Sequence, residues 1–124
     1  MAKILIAENE LALREFVARG LEQRRHKVTM AQDGSEALEH LKKTKYDLLL
    51  TDIDMPIMDG IALALKGAKD YPKLRILMMT GYAAEKARAH NLDMLIHDVV
   101  LKPFTLDELN HRVDSALGTA LARR

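Results

Sequence analysis

An apolar run that ends abruptly in a carboxylate constrains this chain more than any other feature. Residues 48–51 (Leu-Leu-Leu-Thr) have no polar face, and Asp47 and Asp52 flank them. A short run of this kind is typical of a strand buried on both faces, as in a parallel sheet covered by helices. Asp52 then lies at the carboxyl end of the strand, where ligands bind in open α/β sheets. The alternative is that Asp52 and Asp54 only solubilise the end of the strand.

Five short apolar segments alternate with five segments of helical periodicity along the chain. The predicted strands cover residues 3–7, 28–31, 48–51, 75–79 and 99–101, and the fourth predicted helix covers 83–91. Such alternation predicts a parallel sheet with right-handed crossovers and helices on both faces. The predicted fold class is therefore α/β, a doubly wound five-stranded parallel sheet with the flavodoxin-like (βα)5 strand order 2-1-3-4-5. A length of 124 residues without a linker predicts one domain, residues 1–124.

Candidate N-caps precede several of the predicted helices. Asn9 is a plausible cap for the first helix, and Ser35 for the second. Thr105 precedes the last helix, and Glu108 follows three residues later, which is the pattern of a capping box.

Composition excludes several classes of function. The 19 basic and 18 acidic residues leave a net charge of +1, which indicates neither a nucleic-acid nor a membrane partner. The chain has no cysteine, and no apolar run approaches the ~20 residues of a membrane span. No glycine-rich phosphate loop follows any strand, which argues against a nucleotide enzyme, hydrolase or cofactor carrier on this fold. The simplest interpretation is a soluble, cytoplasmic protein.

Polar side chains follow four of the five predicted strands. They are Glu8, Asn9 and Glu10 after the first, Asp52 and Asp54 after the third, Thr80 after the fourth and Lys102 after the fifth. Because the carboxyl ends of parallel strands meet at one edge, we expect these groups to converge there. Carboxylate and amide oxygens suit Mg²⁺, and a lysine and a hydroxyl suit the oxygens of a phosphoryl group. A carboxylate among them can accept that group as an acyl phosphate, so the pattern predicts phosphoryl transfer.

The chain resembles the CheY-like receiver domain of two-component response regulators. The motifs that carry the resemblance are residues 4–8, 51–60, 79–81 and 101–104. The resemblance implies that Asp52 accepts a phosphoryl group from a histidine kinase or a histidine phosphotransfer protein. It also implies that Thr80 and Lys102 contact the phosphoryl oxygens. The ligands it implies for Mg²⁺ are Glu8, Asn9, Asp52 and the backbone carbonyl of Asp54.

The resemblance also implies how such a chain acts. Receiver domains are phosphoacceptors that signal through another protein, and they are not dedicated enzymes. No output domain follows, so we expect a stand-alone regulator whose partner-binding face comprises residues 82–91, 97–101 and 105–112. Residues 79–84 and 101–104 most resemble the CpdR-like regulators of alphaproteobacterial phosphorelays, which are protease adaptors linked to the cell cycle. This closer resemblance implies a protease complex as the downstream partner.

The sequence departs from the receiver pattern at the predicted metal site. Receivers usually carry two acids where this chain has Glu8 and Asn9, and the second acid is a direct Mg²⁺ ligand. The amide oxygen of Asn9 can still bind the metal, but one negative charge is missing, so we expect weaker Mg²⁺ binding. Glu10 or Asp54 could compensate. The alternative is a pseudo-receiver, or a constitutive protein-interaction module with weak or no phosphorylation.

A second departure concerns the switch residue. Val99 occupies the position where many receivers have an aromatic residue, three residues before Lys102, and valine has no ring to move. Tyr82, two residues after Thr80, is the candidate replacement, because its phenol can pack or reach solvent. The alternative is that Tyr82 is a plain surface residue at the start of a helix. Phe104 is assigned to the same switch and partner face.

Overall fold

The computed structural model describes residues 2–92 and 95–121 of the chain. The strands are β1 (Lys3–Ala7), β2 (Lys27–Ala31), β3 (Leu48–Asp52), β4 (Arg75–Thr80) and β5 (Asp98–Leu101). The helices are α1 (Leu11–Gln23), α2 (Gly34–Lys43), α3 (Gly60–Asp70), α4 (Ala83–Ala89) and α5 (Leu106–Leu121), and a 3₁₀ turn, His90–Leu92, follows α4. The strands pair in parallel in the order β2-β1-β3-β4-β5, which confirms the predicted fold class and strand order.

The central strand β3 packs against helices on both faces of the sheet. All five of its residues are buried. Leu48 and Leu50 belong to a core shared with Val17 and Leu21 of α1 and with residues of α5. Leu49 points the other way, into a core shared with α2, α3 and α4. Successive side chains of a strand alternate between its faces, so a run without a polar face fills both cores, as the sequence predicts.

Two of the predicted N-caps are wrong. The residue that precedes α1 is Glu10, not Asn9, and it makes no side-chain capping bond. Helix α2 begins at Gly34, so Ser35 lies within its first turn, and the cap is Asp33, whose Oδ1 accepts from the backbone N–H of Glu36 at 2.8 Å. Asp33, Gly34 and Ser35 can all cap a helix and stand side by side at the start of α2, whereas the path of the chain into α1 puts Glu10, a poor cap former, at the cap position.

The later helices agree better with their predicted starts. The backbone N–H of Glu108 donates to Thr105 Oγ1 at 3.1 Å, which confirms Thr105 as the cap of α5. Helix α4 is shorter than predicted, because the chain tightens into a 3₁₀ turn after Ala89. Ala89 is the buried residue of α4, which is consistent with the weak apolar pattern of this segment. No helix within residues 2–92 and 95–121 has the length and apolar character needed to cross a membrane.

Gly60 fixes the loop that carries the end of β3. A Cβ atom on Gly60 would lie 2.1 Å from the carbonyl oxygen of Asp52, so no other residue fits there without moving the backbone. The N–H of Gly60 donates to the carbonyl of Ile53 at 2.8 Å. The start of α3 is therefore held directly against the residue that ends β3, and this contact positions Asp52 at the rim of the sheet.

An ion pair between Asp98 and Arg112 joins the edge strand β5 to α5. Burial alone would raise the pKa of Asp98, but the hydrogen bond with Arg112 and the bond from the backbone N–H of Val99 lower it below its ordinary value. The ionised side chain therefore stabilises the fold above the pKa of aspartate in the unfolded chain. This contribution is lost as pH falls through the lowered pKa of the folded chain.

We expect Asp98→Asn to lower the free energy of unfolding by about 1 kcal/mol at pH 7, because both partners are partly exposed and an amide keeps some of the hydrogen bonding. The difference from the wild type should shrink as pH falls below about 4. Urea denaturation at several pH values measures both effects, and Asp107→Asn, an exposed acid in the first turn of α5, is the control. Equal losses for the two variants at pH 7 would contradict the prediction.

Candidate functional site

The carboxyl ends of β1, β3, β4 and β5 bring four predicted site residues to one edge of the sheet. Asp52 ends β3 and Thr80 ends β4, while Glu8 and Lys102 directly follow β1 and β5. Glu8, Asp52 and Thr80 are buried polar residues in a chain whose other buried side chains are almost all apolar. Burying a carboxylate is costly unless it is paired, so two such groups at one strand edge indicate a functional site.

Lys102 connects the two buried carboxylates. Its Nζ lies 3.2 Å from Asp52 Oδ2 and 3.1 Å from Glu8 Oε1. Burial alone would lower the pKa of Lys102, but the charges of Asp52 and Glu8 outweigh burial and raise it above its ordinary value. The ammonium group therefore stays protonated at neutral pH, next to Asp52, where it can donate to an anionic group.

Asp52 has one oxygen without a protein partner. Its Oδ2 faces Lys102, whereas its Oδ1 is buried and has no hydrogen-bond partner. Burial and the nearby charge of Glu8 raise the pKa of Asp52 to about 6, although Lys102 opposes the shift. The side chain of Asp52 is thus mainly ionised at neutral pH, although it takes up a proton at a higher pH than an ordinary aspartate does. A buried acceptor of this kind is open to a ligand or a covalent partner.

Asn9 bridges the ends of β1 and β3. In the amide orientation that matches donors with acceptors, its nitrogen donates to Glu8 Oε2 at 3.1 Å and to the carbonyl oxygen of Asp54 at 3.2 Å. Glu8 Oε2 also accepts from the backbone N–H of Glu10 at 3.0 Å. The Asn9 nitrogen therefore donates hydrogen bonds to oxygens of two residues, Glu8 and Asp54, that the resemblance implies as Mg²⁺ ligands. This role explains why Asn9 does not cap α1.

The oxygen donors at this edge fit a hard cation. In the part of the chain that the structure describes, no three His, Cys, Asp or Glu side chains are grouped so that they could hold a metal ion by themselves. The oxygens available here are the unpartnered Oδ1 of Asp52, the carbonyl of Asp54 and, after rotation of its amide, the side-chain oxygen of Asn9. Mg²⁺ commonly takes one or two carboxylates and completes its shell with water and phosphate oxygens.

The hydroxyl of Thr80 donates to Glu85, a residue that is not among the predicted site residues. Thr80 Oγ1 donates to Glu85 Oε1 at 2.7 Å and accepts from the backbone N–H of Tyr82 at 3.1 Å. Desolvation, a hydrogen bond with Glu85 and the charge of Glu85 together raise the pKa of Asp54 to about 6. The only sequence signal for Glu85 is a carboxylate in the first turn of the helix that follows Thr80.

The three residues assigned to the switch and partner face differ in exposure. Tyr82 is 62% exposed at the start of α4, and Leu101 of the edge strand is 39% exposed. Val99 is fully buried in the core that contains α2, α3 and α4. Phe104 is partly buried and packs against the core formed with α1 and α5. Among the described residues of this face, Tyr82 and Leu101 are therefore the large apolar side chains that a partner could reach.

Sequence comparison places the chain among receiver domains. The family "Response regulator receiver domain" matches residues 4–114. The response regulator receiver protein CpdR of Brucella abortus is 37% identical over 120 residues, which cover 97% of this chain and 100% of that protein. The response regulator MprA of Mycobacterium leprae is 33% identical over 115 residues, which cover 93% of this chain and 50% of that protein.

Solved structures share the whole fold. A CheY-like response regulator receiver domain protein of Methanospirillum hungatei superimposes with a TM-score of 0.92 and 25% identity, covering 100% of this chain and 99% of that one. The response regulator TrrA of Thermotoga maritima, in complex with Mg²⁺–BeF, superimposes with a TM-score of 0.85 and 28% identity, covering 94% of this chain and 99% of that one.

Proposed function

Because this chain belongs to the response regulator receiver domain family, a family of two-component signalling modules, we propose that Asp52 is its phosphoacceptor. The observation that supports this proposal is the buried Asp52 carboxylate, which has an unpartnered oxygen and lies 3.2 Å from the Lys102 ammonium group. Phosphorylation of Asp52 would then change how the chain binds another protein. The proposed unit is a single receiver domain formed by residues 1–124.

Phosphoryl transfer to Asp52 requires little from the protein besides position and charge. A carboxylate oxygen of Asp52 forms a bond with phosphorus while the bond between phosphorus and the donor's imidazole nitrogen breaks, and the imidazole takes up a proton. A pKa of about 6 keeps Asp52 mainly ionised at neutral pH, as a nucleophile must be. Lys102 lies close enough to Asp52 to donate to an attached phosphoryl group, and Thr80 offers a hydroxyl on the neighbouring strand.

Receiver domains typically bind Mg²⁺, which neutralises charge on the phosphoryl group. In this chain the metal would be held by Asp52, the carbonyl of Asp54 and the amide oxygen of Asn9, with the carboxylate of Glu8 beside them. We propose that binding is weaker than in receivers with two acids. Asn9 contributes no charge, and its nitrogen already donates to Glu8 and Asp54. The same contacts favour the second candidate function, a pseudo-receiver or constitutive interaction module.

The proposed partners follow from the family. Receiver domains act with histidine kinases and with downstream proteins, and we propose a histidine kinase or a histidine phosphotransfer protein as the donor for this chain. The downstream protein would bind the face that carries two large exposed residues, Tyr82 before α4 and Leu101 at the end of the edge strand β5. The resemblance to CpdR-like regulators implies a protease complex as this partner, and the 37% identity with the Brucella CpdR protein supports that resemblance.

Intact-mass spectrometry after incubation with acetyl phosphate and Mg²⁺ tests the proposed function. We expect the wild-type chain to gain the mass of one phosphoryl group, and to gain none when a chelator removes Mg²⁺. Beryllofluoride, which imitates the phosphoryl group, should shift the backbone amide NMR signals of residues 82–91, 97–101 and 105–112. If the wild-type chain shows no mass gain and no NMR shifts even at high Mg²⁺ concentration, the proposal that Asp52 is a phosphoacceptor is refuted. This result would favour the constitutive interaction module.

A further inference from the structure

Glu85 connects the end of β4 to the helix that follows it. Its carboxylate accepts a hydrogen bond from the hydroxyl of Thr80, with 2.7 Å between Thr80 Oγ1 and Glu85 Oε1. Thr80 is fully buried, and Glu85 lies in the first turn of α4. The same carboxyl group lies near the side chain of Asp54, on the loop after β3, and helps to raise the pKa of Asp54 to about 6. One acidic side chain of α4 therefore bonds to the last residue of β4 and acts electrostatically on the loop that follows the neighbouring strand β3.

The Thr80 hydroxyl cannot serve Glu85 and a phosphoryl group at once. A hydroxyl has a single proton to donate, and here Glu85 takes it. The acceptor side of Thr80 Oγ1 is also in use, because it receives the backbone N–H of Tyr82 at 3.1 Å. Thr80 must therefore release Glu85 before it can donate to an oxygen attached to Asp52.

Phosphorylation would also act on Glu85 through charge. A phosphoryl group on an aspartate replaces one negative charge by roughly two. The charge of Glu85 already raises the pKa of Asp54, two residues from Asp52, so a further negative charge on Asp52 would also repel the carboxylate of Glu85. Helix α4 buries little apolar surface that would oppose its movement, because Ala89 is its buried residue and Ala83, Ala84 and Arg88 are exposed.

We propose that Glu85 is a positioning residue that holds the Thr80 hydroxyl in the unphosphorylated chain, and that its release passes the signal from Asp52 to α4. This inference rests on the proposed function of Asp52. It gives the chain a route to the partner face that needs no aromatic residue at position 99, where Val99 is fully buried. The route runs from Thr80 through Glu85 to the start of α4, where Tyr82 is exposed.

The first test uses the unphosphorylated chain without metal. We expect Glu85→Ala to shift the methyl and amide NMR signals of Thr80 and the amide signals of Tyr82 toward those of the beryllofluoride-bound wild type. Glu85→Gln removes the charge but keeps an oxygen that can accept the hydrogen bond from the Thr80 hydroxyl. The NMR shifts of this variant should therefore be smaller than those of Glu85→Ala. Glu36→Ala, which removes the first-turn acid of α2, is the control for loss of a helix-start carboxylate. Thr80 signals that stay unchanged in Glu85→Ala would overturn the proposal.

The second test measures how tightly beryllofluoride binds at a fixed Mg²⁺ concentration. We expect Glu85→Ala to bind about fivefold more tightly than the wild type, and Glu85→Gln about twofold, because one hydrogen bond no longer has to be broken. If Glu85 only stabilised the start of α4, its loss would reduce helicity and leave this affinity unchanged. If the wild type binds beryllofluoride, and Glu85→Ala binds it no more tightly than Glu36→Ala does, the proposal for Glu85 is overturned while the proposal for Asp52 stands. A wild type that is neither phosphorylated nor responsive overturns the Asp52 proposal as well.

Discussion

Asp52→Asn should abolish phosphorylation by acetyl phosphate under conditions in which the wild-type chain gains one phosphoryl group. An amide cannot form an acyl phosphate, and no neighbouring carboxylate is placed to replace it. Both oxygens of Glu8 are engaged, Oε1 with Lys102 and Oε2 with the backbone of Glu10. The Asp54 carboxylate lies near Glu85, whose charge helps to raise the pKa of Asp54. Intact-mass spectrometry measures the loss, and a residual gain of one phosphoryl group in Asp52→Asn would place the phosphoacceptor elsewhere.

The same substitution should make the metal-free chain more stable. Asp52 is a buried carboxylate that lies near the charge of Glu8 and has an unpartnered oxygen, and its raised pKa reflects this unfavourable setting. The amide removes the charge, while Lys102 keeps its ion pair with Glu8 at 3.1 Å. We expect a gain of about 1–2 kcal/mol in the free energy of unfolding at pH 7.

Urea denaturation in the presence of a chelator measures this gain, with Asp107→Asn as the control for an exposed acid. Loss of labelling combined with higher stability would show that the site is maintained for chemistry at a cost to the fold. Loss of labelling combined with unfolding would instead mean that Asp52 supports the structure, and it would remove labelling as evidence for the phosphoacceptor.

The fold could be predicted from the sequence because its signals are local and repeated. The segments around Leu49 and Ile76 are short and apolar on both sides, and only a sheet covered on both faces gives every side chain a core to enter. Helical stretches between the strands then leave few topologies. The convergence of Glu8, Asp52 and Lys102 follows from the same reasoning, since parallel strands end at one edge.

The hydrogen-bond partners within the site could not be predicted in this way. Asn9 has the chemistry of a helix cap, but its amide instead joins Glu8 to the carbonyl of Asp54, which is distant in sequence. The predicted contact of Thr80 with a phosphoryl group stays a prediction, but the bond that its hydroxyl donates to Glu85 has no counterpart in the sequence pattern. Each choice depends on how neighbouring loops approach one another, and this is decided by tertiary packing rather than by the local sequence.

Asn9→Asp should tighten Mg²⁺ binding by about 10- to 100-fold, because it adds a full negative charge at contact distance from a divalent cation. The substitution also changes the metal-free chain. The wild-type amide nitrogen donates to Glu8 Oε2 and to the carbonyl of Asp54, and a carboxylate in its place can donate to neither. Without metal, we expect the variant to be less stable than the wild type by about 1–2 kcal/mol, since the new charge faces another acid.

Two measurements separate these effects. A Mg²⁺ titration followed by the NMR signals of residues near Asp52 gives the affinity, and denaturation with and without Mg²⁺ gives the stability. Asn91→Asp, the same chemical change at an exposed position at the end of the 83–92 segment, is the matched control. Identical titrations for the wild type, Asn9→Asp and Asn91→Asp would mean that residue 9 lies outside the metal shell.

The rate of phosphorylation by acetyl phosphate shows whether Asn9 only slows phosphorylation of Asp52 or prevents it. If weak Mg²⁺ binding limits the wild type, Asn9→Asp should be labelled faster at low Mg²⁺, and the two rates should converge as Mg²⁺ is raised. A wild type that stays unlabelled at saturating Mg²⁺ while Asn9→Asp is labelled would identify a pseudo-receiver that a single charge can restore. The side-chain nitrogen of Asn9 would then take the place of the metal, because it donates hydrogen bonds to Glu8 Oε2 and to the carbonyl oxygen of Asp54.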